Sequence, residues 1–161
     1  MGFGVRMLYH DVLRRPDLEA AYGLEPVSLP ALLRQADVLS VHVPLLPATT
    51  QLLNRAAFAQ MKPSAILVNT SRGGVIDQAA LAEALAQGRL AGAALDVFAE
   101  EPIPLDDPLL QAPNLILTPH CASATWETRR QMAERCAANV RACLEGRRPP
   151  FVVPEQREET F

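Results

Sequence analysis

Apolar residues along this chain recur at two spacings that alternate from one end to the other. Short runs rich in Val, Ile, Leu and Ala predict strands at Val5-Arg6-Met7-Leu8-Tyr9, Glu25-Pro26-Val27-Ser28, Val38–Val43, Ala65–Asn69, Gly92–Val97 and Leu115–Thr118. Between and after them, apolar positions three and four apart predict helices over Leu29–Ala36, Asn54–Met61, Asp77–Gln87 and Thr125–Leu144. The third has Asp77 as its N-cap, Gly88 just past its end and a sheet-facing stripe drawn from Ala79-Ala80-Leu81-Ala82-Glu83-Ala84-Leu85. Strands alternating with helices make the fold class α/β with a parallel sheet. Several strands carry apolar residues on both faces, so the sheet is expected to be sandwiched between helix layers.

Composition narrows the classes. A chain of 161 residues, 49% hydrophobic and 20% charged, can bury one substantial core. A net charge of -3 and a pI near 5.6 supply no basic field for nucleic acid or an anionic membrane. No apolar run approaches the roughly 20 residues of a membrane span, and the start Met1–Arg6 lacks a signal-peptide core, so a cytoplasmic location is expected. The 3 cysteines form no Cys-x-x-Cys and no metal-ligand spacing. Cys121 is read as a packing residue, and Cys136 and Cys143 as small buried hydrophobes on one side of the last helix. That helix, with Met132 and Val140 on the same side, is expected to pack on something apolar.

Chemistry collects where the strands end. In an open parallel sheet, ligands bind outside the carboxyl ends of the strands. Asp11 follows the first strand, Pro44 the third, Arg72 the fourth and His120 the sixth, while Asp96 lies at the end of the fifth. With Glu101 they offer a cation, a carboxylate and an imidazole, the set needed to hold a small 2-oxo acid and protonate its carbonyl. His42, inside the third predicted strand, is read as structural.

Three segments at these spacings carry a resemblance. They are Asn-Thr-Ser-Arg-Gly-Gly-Val-Ile-Asp over 69–77, Gly-Arg-Leu-Ala-Gly-Ala-Ala-Leu-Asp-Val-Phe-Ala-Glu-Glu-Pro over 88–102, and Thr-Pro-His over 118–120. They resemble the signatures of NAD(P)-dependent D-2-hydroxyacid dehydrogenases, and the likeness extends from Gly2 to Pro150. It implies that Arg72 holds the substrate carboxylate and carbonyl oxygen, that His120 is the general acid and base, and that Glu101 orients His120. It further implies that Asp96 accepts from the nicotinamide carboxamide and that Asp11 binds the adenosine ribose. Val43, Pro44, Thr50, Thr70 and Ser71, with Arg72 and His120, line the cofactor cleft in this reading, although Thr50 equally suits a turn. A carboxylate at Asp11 repels a 2′-phosphate and favours NAD; Arg14 or Arg15 would accept that phosphate and admit NADP. Ser123-Ala124-Thr125 with Thr128-Arg129 is similar to the glyoxylate and hydroxypyruvate reductase branch, with Cys121-Ala122 departing from its usual Ile-Gly.

The same resemblance sets expectations about what the chain lacks. The dinucleotide loop G-x-G-x-x-G and the strand before it would precede residue 1, and Gly2-x-Gly4 is not that loop because it comes ahead of its strand. The expected fold is therefore an incomplete doubly wound Rossmann sheet, with residues 1–146 a partial dinucleotide-binding domain and 147–161 a C-terminal arm. The absent strand would separate those beginning at Val5 and Val38, and the chain alone is expected to be impaired. The leading expectation is a reductase of glyoxylate or hydroxypyruvate that forms a homodimer through this domain. The alternatives are a binding module, as in corepressors that use NAD as a conformational ligand, and an inert fragment.

Overall fold

The structure is a computed structural model that describes residues 4–153; Gly2 and the last residues of the expected arm, 154–161, lie outside them. Among the described residues there are two parallel sheets. β1 (Leu8–Tyr9) pairs with β2 (Glu25–Pro26), and β3 (Val38–Val41), β4 (Ile66–Asn69), β5 (Gly92–Leu95) and β6 (Leu115–Leu117) lie side by side in that order. β1 and β3, between which the resemblance sets a further strand, belong to different sheets.

Helices lie in the connections between strands, α1 (Pro16–Tyr22), α2 (Leu29–Gln35), α3 (Arg55–Phe58) and α4 (Gln78–Ala86), with a 3-10 turn at Pro108–Gln111 between β5 and β6 and α5 (Trp126–Leu144) after the last strand. Four neighbouring strands in sequence order step the same way across the sheet, and right-handed crossovers then set every connecting segment on one face. That face is the core. Leu39, Val41, Leu67, Ala93 and Leu95 point into it against Leu81, Ala84 and Leu85 of α4 and Phe58 of α3. The opposite face stays open, with Val38 63%, Ile66 45% and Ile116 66% exposed, so the two-faced burial expected for these strands is found on one face only.

Capping fixes the helix that matters most for the site. Asp77 Oδ1 accepts from Ala80 N at 3.0 Å, and Gly88 takes φ +65° just past α4, as its sequence predicted. Other boundaries differ. α3 is one turn long where Asn54–Met61 was expected, with Asn54 accepting from Ala56 N and Ala57 N.

The described chain divides into two compact units, one ending at His120 and one beginning at Cys121. In the second, Thr125 caps α5 and Asn139 holds both backbone atoms of Phe151 at 2.9 Å, with Arg135 stacked over the Phe151 ring. The returning segment thus meets Arg135 and Asn139 rather than the apolar stripe of α5. Cys136 and Cys143 are exposed, not buried as expected, and so is Cys121. Among the described residues, no helix is long and apolar enough to cross a membrane, and no cluster of His, Cys, Asp and Glu is suited to a metal ion.

Candidate active site

Four adjacent strand ends lie in one row, three of them followed by polar residues. Val43 and Pro44 follow β3, Thr70, Ser71 and Arg72 follow β4, Asp96 follows β5, and His120 lies three residues past β6. Parallel pairing in register brings these ends level, because Val41 lies opposite Asn69, Asn69 opposite Leu95, and Leu95 opposite Leu117.

Asn69 shapes the turn that carries Arg72. Its side chain is fully buried; Oδ1 accepts from Ser71 N at 3.0 Å and from Ser71 Oγ at 2.8 Å, while Nδ2 donates to Arg72 O at 3.0 Å. A buried amide with this many partners holds the backbone in one conformation. Gly73 follows by necessity: a Cβ there would lie 1.9 Å from the carbonyl carbon of Phe98. Arg72 itself is exposed; its Nη1 donates to Ser71 O at 2.7 Å, and it forms no ion pair among the described residues.

The loop after β5 crosses over that glycine and delivers Glu101. Its Oε1 accepts from Phe98 N at 3.0 Å, and its Oε2 lies 2.6 Å from His120 Nδ1. A carboxylate cannot donate, so Nδ1 carries the shared hydrogen and Nε2 is the ring atom left to face a reactant. The bond to His120, then that from Phe98, hold the Glu101 carboxyl below the usual range, and the nearby charge of Arg72 lowers it further. His120 takes φ +51°, a left-handed conformation that non-glycine residues adopt at a cost on the order of 1 kcal/mol. Its N donates to Thr118 O across Pro119, which holds that turn.

Asp96 is buried, and its Oδ1 accepts from Thr118 Oγ1 at 2.5 Å. Asn69 and Thr118 are site-supporting residues that the sequence reading passed over. An Asn at a strand end with Ser two positions on was the available signal for the first; nothing local marked the second.

The remaining candidates divide. Thr50 donates its hydroxyl to Leu46 O at 2.9 Å, a turn role, while Thr49 donates to Pro44 O at 2.6 Å. This loop touches the Arg72 turn through Leu45, whose Cδ2 lies 3.1 Å from where a Gly74 Cβ would stand. Asp11 belongs to the other sheet: it follows β1, and its Oδ1 accepts from Leu13 N at 3.0 Å. His42 lies just beyond β3, exposed, with Nε2 2.8 Å from Ser40 Oγ.

A one-way row of parallel strands with a carboxylate-held histidine at its carboxyl edge places the chain among open α/β-sheet domains, whose ligands bind at that edge. Comparison sharpens this. Residues 1–122 match the family described as D-isomer specific 2-hydroxyacid dehydrogenase, NAD binding domain, and the chain belongs to that family. It is 51% identical over 155 residues to a glyoxylate reductase of Korarchaeum cryptofilum, covering 96% of this chain and 47% of the relative. It is 43% identical to a glyoxylate/hydroxypyruvate reductase B of Pectobacterium carotovorum, covering 90% and 45%. Among solved structures, D-lactate dehydrogenase with NAD+ from Lactobacillus jensenii superposes with a TM-score of 0.85 at 36% identity, covering 94% and 49%. The chain thus spans about half the length of the curated relatives it matches.

Proposed function

We propose that this chain is the cofactor-binding and proton-transferring half of a reductase that converts glyoxylate or hydroxypyruvate to the D-2-hydroxy acid. The observation that carries the proposal is the Glu101–His120 pair at the carboxyl edge of the sheet, with Arg72 at the end of β4 on the same edge.

A nicotinamide cofactor suits the residues present. Asp96, just past β5 on the same sheet edge, offers a buried carboxylate that accepts from Thr118, a group suited to a carboxamide donor. Asp11 offers an exposed carboxylate, anchored by Leu13 N, for a ribose hydroxyl. The cofactor, when bound, supplies the hydride. The chain's residues handle charge and the proton. Arg72 presents a planar fork to the 2-oxo acid's carboxylate, for which bidentate contact gives both affinity and orientation. His120, protonated, donates from Nε2 to the carbonyl oxygen as it gains negative charge. Glu101 keeps Nδ1 protonated and the ring aimed. In the reverse direction neutral Nε2 takes the hydroxyl proton. Homodimerisation through this domain completes the reading.

The test joins this chain to the remaining half of the Korarchaeum cryptofilum relative and follows NADH consumption with glyoxylate and with hydroxypyruvate. Reduction is expected, with His120→Asn lowering it by about 10²- to 10⁴-fold while NADH binding, read by fluorescence, is kept. Unchanged turnover in His120→Asn sinks the assignment, and sedimentation of the same protein as a monomer sinks the dimer.

A further inference from the structure

The loop that follows Asp11 holds two arginines, and both are already engaged. Arg14 meets Glu19 through two bonds, Nε to Oε1 at 3.1 Å and Nη2 to Oε2 at 2.5 Å. Glu19 is anchored in turn, since its Oε1 also accepts from Tyr9 Oη at 2.5 Å, and its side chain is 17% exposed. Arg15 meets Asp17 in the same forked way, Nε to Oδ1 at 3.0 Å and Nη2 to Oδ2 at 2.7 Å. The Arg15 backbone N donates to that same Tyr9 hydroxyl, so one phenol ties β1, the loop and α1 together.

This network bears on which dinucleotide the loop admits. A carboxylate at the ribose position discriminates against a 2′-phosphate only if no nearby cation is available to neutralise that phosphate. Arg15 stands only four residues after Asp11, so closeness along the chain alone would let it serve. Here each guanidinium has its fork filled by a carboxylate of matching geometry. The loop and the first turn of α1 thus set Asp11, Asp17 and Glu19 against Arg14 and Arg15, an excess of acid toward a dianion; His10, the neighbouring titratable group, turns its Nδ1 to Val27 O.

We propose that Glu19 and Asp17 are specificity-determining residues that withhold Arg14 and Arg15 from a 2′-phosphate, so that this site takes the unphosphorylated dinucleotide. The proposal rests on Asp11 marking the ribose end of the site. It differs from discrimination by Asp11 alone, because it assigns part of the selectivity to residues that touch no cofactor atom. Removing the clamps should raise affinity for the phosphorylated nucleotide while leaving the unphosphorylated one nearly unaffected.

The chain itself can be titrated with adenosine 5′-monophosphate and with adenosine 2′,5′-bisphosphate, which differ only in the 2′-phosphate. Calorimetry gives the affinities, and the arginine Nε–H signals in nitrogen-edited NMR show which side chains respond. Asp17→Asn is the fold-safe variant because Asp17 is well exposed and bonds only to Arg15 and its own turn; Asp17→Asn with Glu19→Gln is the full release. The parent is expected to prefer the monophosphate. The ratio should move toward the bisphosphate by a few-fold in the single variant and about tenfold in the double, with the Arg15 signal responding to the bisphosphate in the single variant, those of Arg14 and Arg15 in the double, and neither in the parent. An unchanged ratio in Asp17→Asn, or a parent that binds both alike, overturns the clamp. Failure of either nucleotide to disturb the Asp11 loop in any chain removes Asp11 as the ribose end and the clamp with it.

Discussion

At Glu101 a single carboxylate accepts from Phe98 N on one oxygen and from His120 on the other. Its pKa is lowered in the folded chain, chiefly by the bond to His120. A lowered carboxyl contributes stability that is present above the ordinary glutamate range and is lost as pH falls through the folded value. Glu101→Gln should therefore lower the urea midpoint at neutral pH, and the difference from the parent should close in acid; a difference that persists below the folded value argues against the pairing. His120→Phe should move the Glu101 carboxyl titration upward, read by carbon-detected NMR. Gly73 carries a steric prediction. Gly73→Ala drives a methyl into the Phe98–Ala99 backbone and should cost about 3 kcal/mol or more, whereas Gly74→Ala meets only the flexible end of Leu45 and should cost about 1 kcal/mol or less. Glu101 and His120, which the structure pairs, could be named together from the sequence because their residue types suit acid–base chemistry and their segments carry the family resemblance. Asn69 and Thr118 escaped because their work is done on backbone and on Asp96, which no local pattern records.

Helix α4 links the core to the site. Its cap at Asp77 should be worth about 1 kcal/mol, so Asp77→Ala lowers the urea-derived stability by that amount. Its first residue, Gln78, reaches further: the side-chain oxygen accepts from Ala99 N and the amide donates to Asp107 Oδ2 at 3.0 Å. Gln78 therefore pins the loop that delivers Glu101 to a helix with Leu81 and Leu85 in the core. Gln78→Ala should speed amide exchange at Ala99 while leaving the α4 interior protected; equal exchange in both chains means the loop is held by other contacts. Sequence periodicity found α4 because five of its residues are buried. It missed α1, which buries none and relies on exposed ion pairs, although Pro16 at its start and the left-handed Gly23 after it were legible signals. The run Val5–Tyr9 is apolar enough for a full strand, yet only Leu8 and Tyr9 pair, with Glu25 and Pro26. Strand length is set by partners that a linear pattern does not show.

For the whole molecule, the decisive fact is that one crossover hand places α3 and α4 on a single side of the four-stranded sheet. The consequence is a second face whose side chains are apolar but wet: Val38 and Ile66 sit directly opposite each other in the β3–β4 register, and Ala94 sits opposite Ile116 in β5–β6. Apolar pairs of this kind are what a doubly wound sheet covers with a second helix layer, which explains why the sequence reads as buried on both faces. Exposed as they are, these side chains contribute little to folding, so Val38→Thr and Ile116→Thr should change stability by no more than about 0.5 kcal/mol. By contrast, Leu67→Ala on the buried face should cost about 2 to 5 kcal/mol. The same two Thr substitutions should lower the binding of a hydrophobic dye and raise the concentration at which the chain self-associates, because an open apolar face is a site for association. Dye binding that survives both substitutions would place the sticky surface elsewhere, and a large loss of stability would mean that this face is covered in solution.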